Sequence, residues 1–440
     1  MDKKVTMNPE MSARYPVEVM APAGSFESLR AAVGGGADSV YFGIGQLNMR
    51  SKSARNFTQS DLPRIARYCR LKGVRAYLAL NTIIYDHETS LSRQLIDEAK
   101  SAGINAVILS DQSVIDYALK AGMPVHLSTQ LNISNFETVR FYSRFADVMV
   151  LARELDLEQV AEIARQIGLH EVKGPSGGLV RLEMFVHGAL CMAISGKCYL
   201  SLHQYNSSAN RGGCLQACRR AYRVEDIESG DQLEINNEYI MSPKDLSTIH
   251  FLDRILASGV SVLKIEGRAR PPEYVQTVTM CYKEAISSLA DGTYGPGKIR
   301  DWQQRLSTVF NRGFWDGYYL GQRLGEWSAV YGTRATRRKT YLGRGLNYYP
   351  KIGIGEFLLE SGDLKVGDDV LITGPTTGLI SMKVNEIHTD SGPAAKGLKG
   401  EKIAMHTGRK IRPSDKLYLW AEAPGSPDDP GIADPEDVGA

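Results

Sequence analysis

Eight short apolar runs, each parted from the next by a loop and an amphipathic stretch, set the narrowest limit on what this chain can fold into. The runs are Val17–Ala21, Ser39–Phe42, Arg75–Leu80, Ala106–Leu109, Pro124–Leu127, Val148–Leu151, Leu182–Val186 and Ser261–Ile265. They are rich in Val, Ile, Leu and Phe and do not alternate cleanly, as expected of parallel strands buried on both faces. Between them apolar residues recur at helical spacing, as in Phe26, Leu29, Ala32 and Val33, in Val114–Leu119, in Leu157–Ile167 and in Leu246–Leu256. Gly73, Gly103, Gly122 and Gly168 fall where helix ends need a glycine. This alternation predicts an α/β fold, a (β/α)8 TIM-like barrel over residues 16–298, with an open doubly wound sheet as the alternative. In a barrel the site lies at the C-terminal strand ends, which include Gly43, Asn81, Ser128–Gln130, Arg153–Glu154, His187–Gly188 and Glu266–Arg268.

The connection after the seventh run, residues 188–242, is too long for an ordinary βα loop, and such loops are usually functional. A helix is expected to begin at the SPKDLSTIHF segment that follows it. Residues 299–339 read as a helical and loop-rich linker, with a helix over Arg300–Phe310. Residues 340–422 carry short strand-like runs separated by Gly-Asp and Gly-Pro turns, the pattern of a small antiparallel β-barrel domain. Residues 1–15 are expected to be flexible, and the acidic Pro/Gly tail 423–440 to be disordered.

The formal net charge of +2 does not by itself announce a nucleic-acid binder. The tail holds Asp428, Asp429, Asp434, Glu436 and Asp437 without a Lys or Arg, so the folded body is the more basic part. No apolar run suits a signal peptide or a membrane span, so a cytoplasmic protein is expected. Thiols stay reduced there, and clustered cysteines then suggest a metal rather than disulfides. Cys191, Cys198, Cys214 and Cys218 are spaced C-x6-C-x15-C-x3-C within the long connection. Thiolates are soft ligands, and this spacing lacks one of the two tight knuckles of structural zinc. Spacing alone leaves iron–sulfur, zinc and no metal open. Cys69 and Cys281 sit in helical patterns and read as buried apolar residues.

Peptidase chemistry finds little footing. There is no H-E-x-x-H pair, and Gly174–Gly178, which formally fits G-x-S-x-G, follows a helix and precedes a strand, the reverse of a nucleophile elbow. Cys191 with His187 is the one near thiol–imidazole pair, and a Cys191 that ligates a metal cannot serve as nucleophile.

The phrases MAPAGSFESLRAAVGGGADSVYFG, HLSTQLNISN, LARELDLEQV, FVHGALCMAISGKCYLS, RGGCLQACRRAY, YIMSPKDL and LKIEGRARPPEYV together resemble peptidase family U32, the collagenase-like proteases. Length and the C-terminal β domain look most like the branch that hydroxylates the wobble uridine of tRNA to 5-hydroxyuridine. The resemblance implies that Cys191, Cys198, Cys214 and Cys218 hold a [4Fe–4S] cluster, with zinc as the weaker alternative. It implies tRNA as partner and prephenate, or another small dicarboxylate, as oxygen donor. On that reading Arg219, Arg220 and Arg223 would meet phosphates, and Arg268 and Arg270 would hold the donor's carboxylates. Gln130 would help bind substrate at the barrel mouth, and Glu266, His187 and Arg268 form the catalytic set, the first two as acid–base groups. The competing functions are a U32 peptidase and a tRNA-binding protein with a purely structural metal site.

Overall fold

A computed structural model describes residues 16–52, 56–222, 228–229, 241–322, 325–328 and 332–424. The expectations for residues 1–15 and for the tail beyond 424 lie outside the described residues.

The eight runs form a closed parallel barrel. Strands β1 (Glu18–Pro22), β2 (Ser39–Gly43), β3 (Arg75–Leu80), β4 (Ala106–Leu109), β5 (Val125–Leu127), β6 (Val148–Val150) and β7 (Arg181–Ala189) pair in chain order. β9 (Val262–Ile265) then closes the ring by pairing in parallel with both β7 and β1. The helices between them are α1 (Phe26–Gly34), α2 (Leu62–Leu71), α3 (Thr89–Ala102), α4 (Gln112–Lys120), α5 (Phe136–Tyr142) and α6 (Leu157–Leu169). Their starts are written locally: the side chains of Ser25, Asp111, Asn135 and Asp156 accept backbone N–H groups of the first turns of α1, α4, α5 and α6. Asp111, a strand-end polar residue, is thus a helix cap.

The barrel interior is not purely apolar. Met20, Tyr77, Ala106, Ile108, Val148 and Val262 fill part of it. Around them lie buried ion pairs: Glu18 with Arg75 at 2.7 Å and Arg181 at 3.0 Å, and Glu183 with Lys264 at 2.6 Å. Tyr77 donates its hydroxyl to Glu18 at 2.8 Å.

The structure corrects the expectation at SPKDLSTIHF. Asp245–Ser247 is a strand, β8, antiparallel to the end of β7, and the helix α8 covers only Leu252–Ala257. The physical reason lies in β7, which runs nine residues and overhangs the barrel, leaving His187–Ala189 in need of a ladder partner. Helices α9 (Pro272–Ala290) and α10 (Pro296–Ser307) follow, and β10 (Phe314–Trp315) pairs with β8.

The C-terminal antiparallel β domain begins at Arg337 rather than at residue 340, with the long strand β11 (Arg337–Tyr349). Eight antiparallel strands and a two-strand ribbon surround a core that includes Leu342, Phe357, Leu359, Val370, Ile372 and Leu417. The domain packs on the barrel near α1: Arg30 donates to the Pro375 carbonyl at 2.9 Å, and Lys339 pairs with Glu273 at 2.8 Å.

Candidate functional site

The mouth of the barrel holds a cavity of about 180 Å³. Its floor and walls come from strand ends (Tyr41, Ala79, Ile108, Phe185, Lys264), from the segments after β2 and β9 (Met49, Arg50, Glu266–Arg270), and from the long connection. That connection folds over the mouth and is tied down at several points. Ser51 donates to the Gly212 carbonyl at 3.1 Å, the amide of Ile83 donates to the Asn210 carbonyl at 3.1 Å, and Arg211 pairs with Glu88 at 2.8 Å.

Cys191, Cys198, Cys214 and Cys218 all line this one cavity, and none is in a disulfide. Cys191 follows the end of β7, Cys198 precedes the short helix α7 (Leu200–Tyr205), Cys214 follows Gly212 and Gly213, and Cys218 sits in a single 3-10 turn, Ala217–Arg219. Burial pushes the Cys218 thiol up to about 11, and the other three thiols add to the shift, so the four lie close enough to feel one another's charge. Burial also raises the Cys198 thiol, helped by Cys191 and Cys214. Among the described residues no three His, Cys, Asp or Glu side chains gather tightly around one point. Four free thiols on one Gly-containing connection, all lining one cavity, have the donor chemistry of an iron–sulfur site.

Glu266 is clamped rather than free. Arg50 donates through Nε at 3.1 Å and Nη2 at 2.7 Å to Glu266 Oε1, and the Tyr41 hydroxyl lies 3.3 Å from Oε2. Burial pushes this carboxyl up, but Arg50, Arg153 and Arg268 together outweigh it and hold the pKa at about 2. A carboxylate so firmly ionised is a poor general acid–base group near neutrality, which corrects the role expected of it. Asn48 is fully buried and orders the neighbourhood: its Oδ1 accepts from the Arg50 amide at 3.1 Å and from Arg268 Nη1 at 3.0 Å. The close packing requires glycine. A Cβ on Gly43 would meet Arg268 Nη1 and Asn48 Cγ at 2.6 Å, and one on Gly188, at φ +105°, would meet the Glu266 carbonyl at 2.5 Å.

His187 does not belong to the site. It is 1% exposed, lies among the rings of Tyr274, Tyr282 and Phe314, and does not line the cavity. Burial drives its pKa down to about 3, so the ring is neutral. The cause of the misplacement is a register shift in the β7–β9 ladder between Phe185 and His187. Phe185 faces the cavity, and strict alternation would have put His187 there too.

The arginines divide. Arg268 and Arg270 line the cavity as expected, Arg270 with its guanidinium 3.5 Å from the centre of the Phe310 ring. Burial lowers both, Arg270 to about 10. Arg219 is engaged internally, donating to Ser242 Oγ at 2.9 Å, the Pro243 carbonyl at 2.7 Å and the Leu190 carbonyl at 2.6 Å. It staples the two ends of the connection together, a correction to its expected phosphate role. Arg220 is exposed and hydrogen-bonds to the Tyr205 hydroxyl. Arg223 lies outside the described residues. Gln130 lines the cavity, where its Oε1 accepts from Asn81 at 3.3 Å and its side chain backs Gly196 of the cysteine loop.

Sequence reasoning missed Asn48 and Arg50. The signal was the length of the stretch between β2 and α2, residues 44–61, unusually long for a βα loop and bearing polar residues. Lys264 lies within the apolar run Ser261–Ile265, yet its side chain lines the cavity.

A family model described as Peptidase family U32 matches residues 24–329. The chain is similar to a Porphyromonas gingivalis protein named collagenase, at 59% identity over 92% of this chain and 97% of that protein. It is similar to tRNA hydroxylation protein P1 of Bacillus subtilis, at 28% identity over 91% of this chain and 94% of that protein. It is also similar to tRNA hydroxylation protein P of Helicobacter pylori, at 31% identity over 69% of this chain and 72% of that protein. Among the described residues, no helix is long and apolar enough to cross a membrane.

Proposed function

We propose a function on the premise that the chain belongs to peptidase family U32: it hydroxylates RNA, converting the wobble uridine of tRNA to 5-hydroxyuridine. The single observation that carries this reading is the convergence of four thiols and a cluster of arginines on one cavity at the mouth of the barrel. Cys191, Cys198, Cys214 and Cys218 would hold a [4Fe–4S] cluster, zinc being the weaker fit because the Cys191–Cys198 spacing lacks a tight knuckle. A bound cluster would supply an electron-transfer or Lewis-acid centre at the cavity wall.

The remaining roles fall to the chain's own side chains. Arg268 and Arg270 would hold the carboxylates of a small acid such as prephenate, the proposed oxygen donor. Glu266, held ionised by Arg50, adds a fixed negative charge beside these cations in the cavity wall. The rim suits a single-stranded RNA loop, whose unstacked bases are recognised by aromatic and guanidinium planes. Tyr199, next to Cys198, is 74% exposed, and Tyr85 and Tyr205 are exposed as well. The guanidinium of Arg211 lies 3.6 Å from the centre of the Tyr85 ring and that of Arg220 5.3 Å from Tyr205.

The peptidase reading draws on the name of the Porphyromonas relative. No histidine lines this cavity to pair with a thiol nucleophile, and Cys191 cannot be that nucleophile if it ligates a metal. Ser176, of the G-x-S-x-G look-alike, donates to Asp147 at 2.7 Å in an exposed turn. A tRNA-binding protein with a structural metal site would bind RNA and leave no product.

The test is mass spectrometry of tRNA nucleosides from a strain lacking the gene, complemented with the wild-type chain or with Cys191→Ala. Hydroxylated uridine should vanish in the deletion, return with the wild-type chain and stay absent with the variant. Unchanged nucleosides in the deletion would refute the reading.

A further inference from the structure

Lys264 is a lysine on a barrel strand, buried to 5% exposure, that reaches the cavity floor from β9. Its Nζ lies 2.6 Å from Glu183 Oε1, 4.8 Å from the centre of the Tyr41 ring and 5.5 Å from that of Phe185. The same two rings place two arginines beside it. The Arg268 guanidinium is 5.8 Å from the Tyr41 ring, and that of Arg153 is 4.2 Å from the Phe185 ring. Both arginines line the cavity, and in both the buried Nε has no hydrogen-bond partner. Buried donors left unmet are costly, and the cavity-lining guanidinium groups that carry them would attract an anion that enters. Two unmet guanidinium donors beside a buried amine form a receptor for a carboxylate that carries a reactive neighbour.

We propose that Lys264 forms an imine with the carbonyl carbon of a small 2-oxo acid whose carboxylate is held by Arg268 and Arg153. The inference rests on the reading above in one respect, that a small acid enters this cavity. Glu183 is the proton carrier. Its Oε2 is also unpartnered and faces the unpartnered Nδ1 of His126 at 4.0 Å, so one carboxylate oxygen is free while the other holds the amine. Burial favours the neutral form of Glu183, and a lysine paired with such an acid can give up its proton to it.

The chemistry balances without an oxidant or reductant. The ammonium passes one proton along the short bond to Glu183 Oε1. The freed nitrogen pair attacks the carbonyl carbon, and the π pair moves to oxygen, which takes a proton from the nitrogen. The nitrogen pair then expels that oxygen as water, with Glu183 returning its proton. One C=O bond and two N–H bonds are exchanged for one C=N bond and one water. The resulting iminium draws electron density from the adjacent carbon, which prepares the bound acid for group transfer.

The test uses the purified holoprotein without RNA, incubated with pyruvate and sodium cyanoborohydride, then intact-mass measurement and peptide mapping. One reduced pyruvyl adduct should form per chain, on Lys264, and should be absent from Lys264→Arg, which keeps the charge but cannot form the imine. Glu183→Gln should slow labelling at least ~10-fold with an unchanged circular dichroism spectrum. Labelling confined to surface lysines, or equal in wild type and Lys264→Arg, overturns the proposal. Should Lys264→Arg fail to fold, the mapped position of the adduct in the wild-type chain decides alone. A chain that hydroxylates tRNA yet leaves Lys264 unlabelled sinks only this inference, and one that labels Lys264 yet modifies no RNA sinks only the hydroxylase reading.

Discussion

Replacing Arg50 with methionine should destabilise the chain by about 3 kcal/mol at pH 7, and by about 2 kcal/mol at ~pH 3.5. Glu266 is nearly buried, with a side chain 12% exposed, and its main partner is Arg50. The drop from the ordinary 4.5 to about 2 is worth about 3 kcal/mol at ~1.4 kcal/mol per pH unit. That figure meets the low end of the ~3–5 kcal/mol cost of stripping one partner from a buried ion pair. The sign follows from linkage. A carboxyl whose folded pKa is depressed contributes stability above its unfolded pKa, and loses it as pH falls through the folded value. The wild-type contribution is therefore full at pH 7 and fades between about 4.5 and 2. In Arg50→Met burial faces only Arg153 and Arg268, so the folded pKa rises and much of that contribution is gone at every pH. The difference between the two proteins is then largest at pH 7 and shrinks in acid. Urea denaturation at pH 7 and at ~pH 3.5 would measure it, with Glu266→Gln and the double variant completing a cycle. In the Glu266→Gln background the Arg50 change should cost under ~1 kcal/mol. An Arg50→Met penalty that is independent of pH, and the same with or without the Glu266 carboxylate, would refute the reasoning.

Other substitutions separate roles at the mouth. His187→Leu should leave turnover per folded molecule within a factor of ~2 while shifting stability by about 1–2 kcal/mol, and a large loss of turnover in a well-folded variant would return His187 to the chemistry. Tyr199→Ala should weaken tRNA binding by about 1–3 kcal/mol if its exposed ring stacks a base, read by filter binding or anisotropy, and unchanged affinity would place RNA elsewhere. Arg220→Ala should lower the slope of log affinity against log salt by about 1, whereas Arg219→Ala should act on folding of the cysteine connection, read by hydrogen exchange.

The barrel was legible because its strands are buried on both faces, which leaves continuous apolar runs that no surface strand would carry. The cysteine connection was legible for the same reason in reverse, since so long a break in the strand–helix rhythm needs a purpose. What escaped was geometry that depends on distant partners. Asp245–Ser247 becomes a strand only because β7 overhangs the barrel. His187 leaves the cavity side only because the ladder slips after Phe185. Glu266 loses its acid–base promise chiefly through Arg50, which arrives from a loop more than two hundred residues earlier in the chain, with Arg153 and Arg268 beside it. Arg219 and Arg220 are adjacent and follow the same cysteine, yet one turns inward to three oxygen acceptors and the other outward. Sequence shows residue type and spacing, and these outcomes were set by packing between segments.

The account turns on four thiols acting together on one cavity, and anaerobic purification followed by iron, zinc and acid-labile sulfide analysis tests that most directly. About four irons and four sulfides per chain, with a visible absorption that bleaches on reduction and is lost in Cys191→Ala, is the predicted result. Stoichiometric zinc, or iron and sulfide retained in Cys191→Ala, would contradict it.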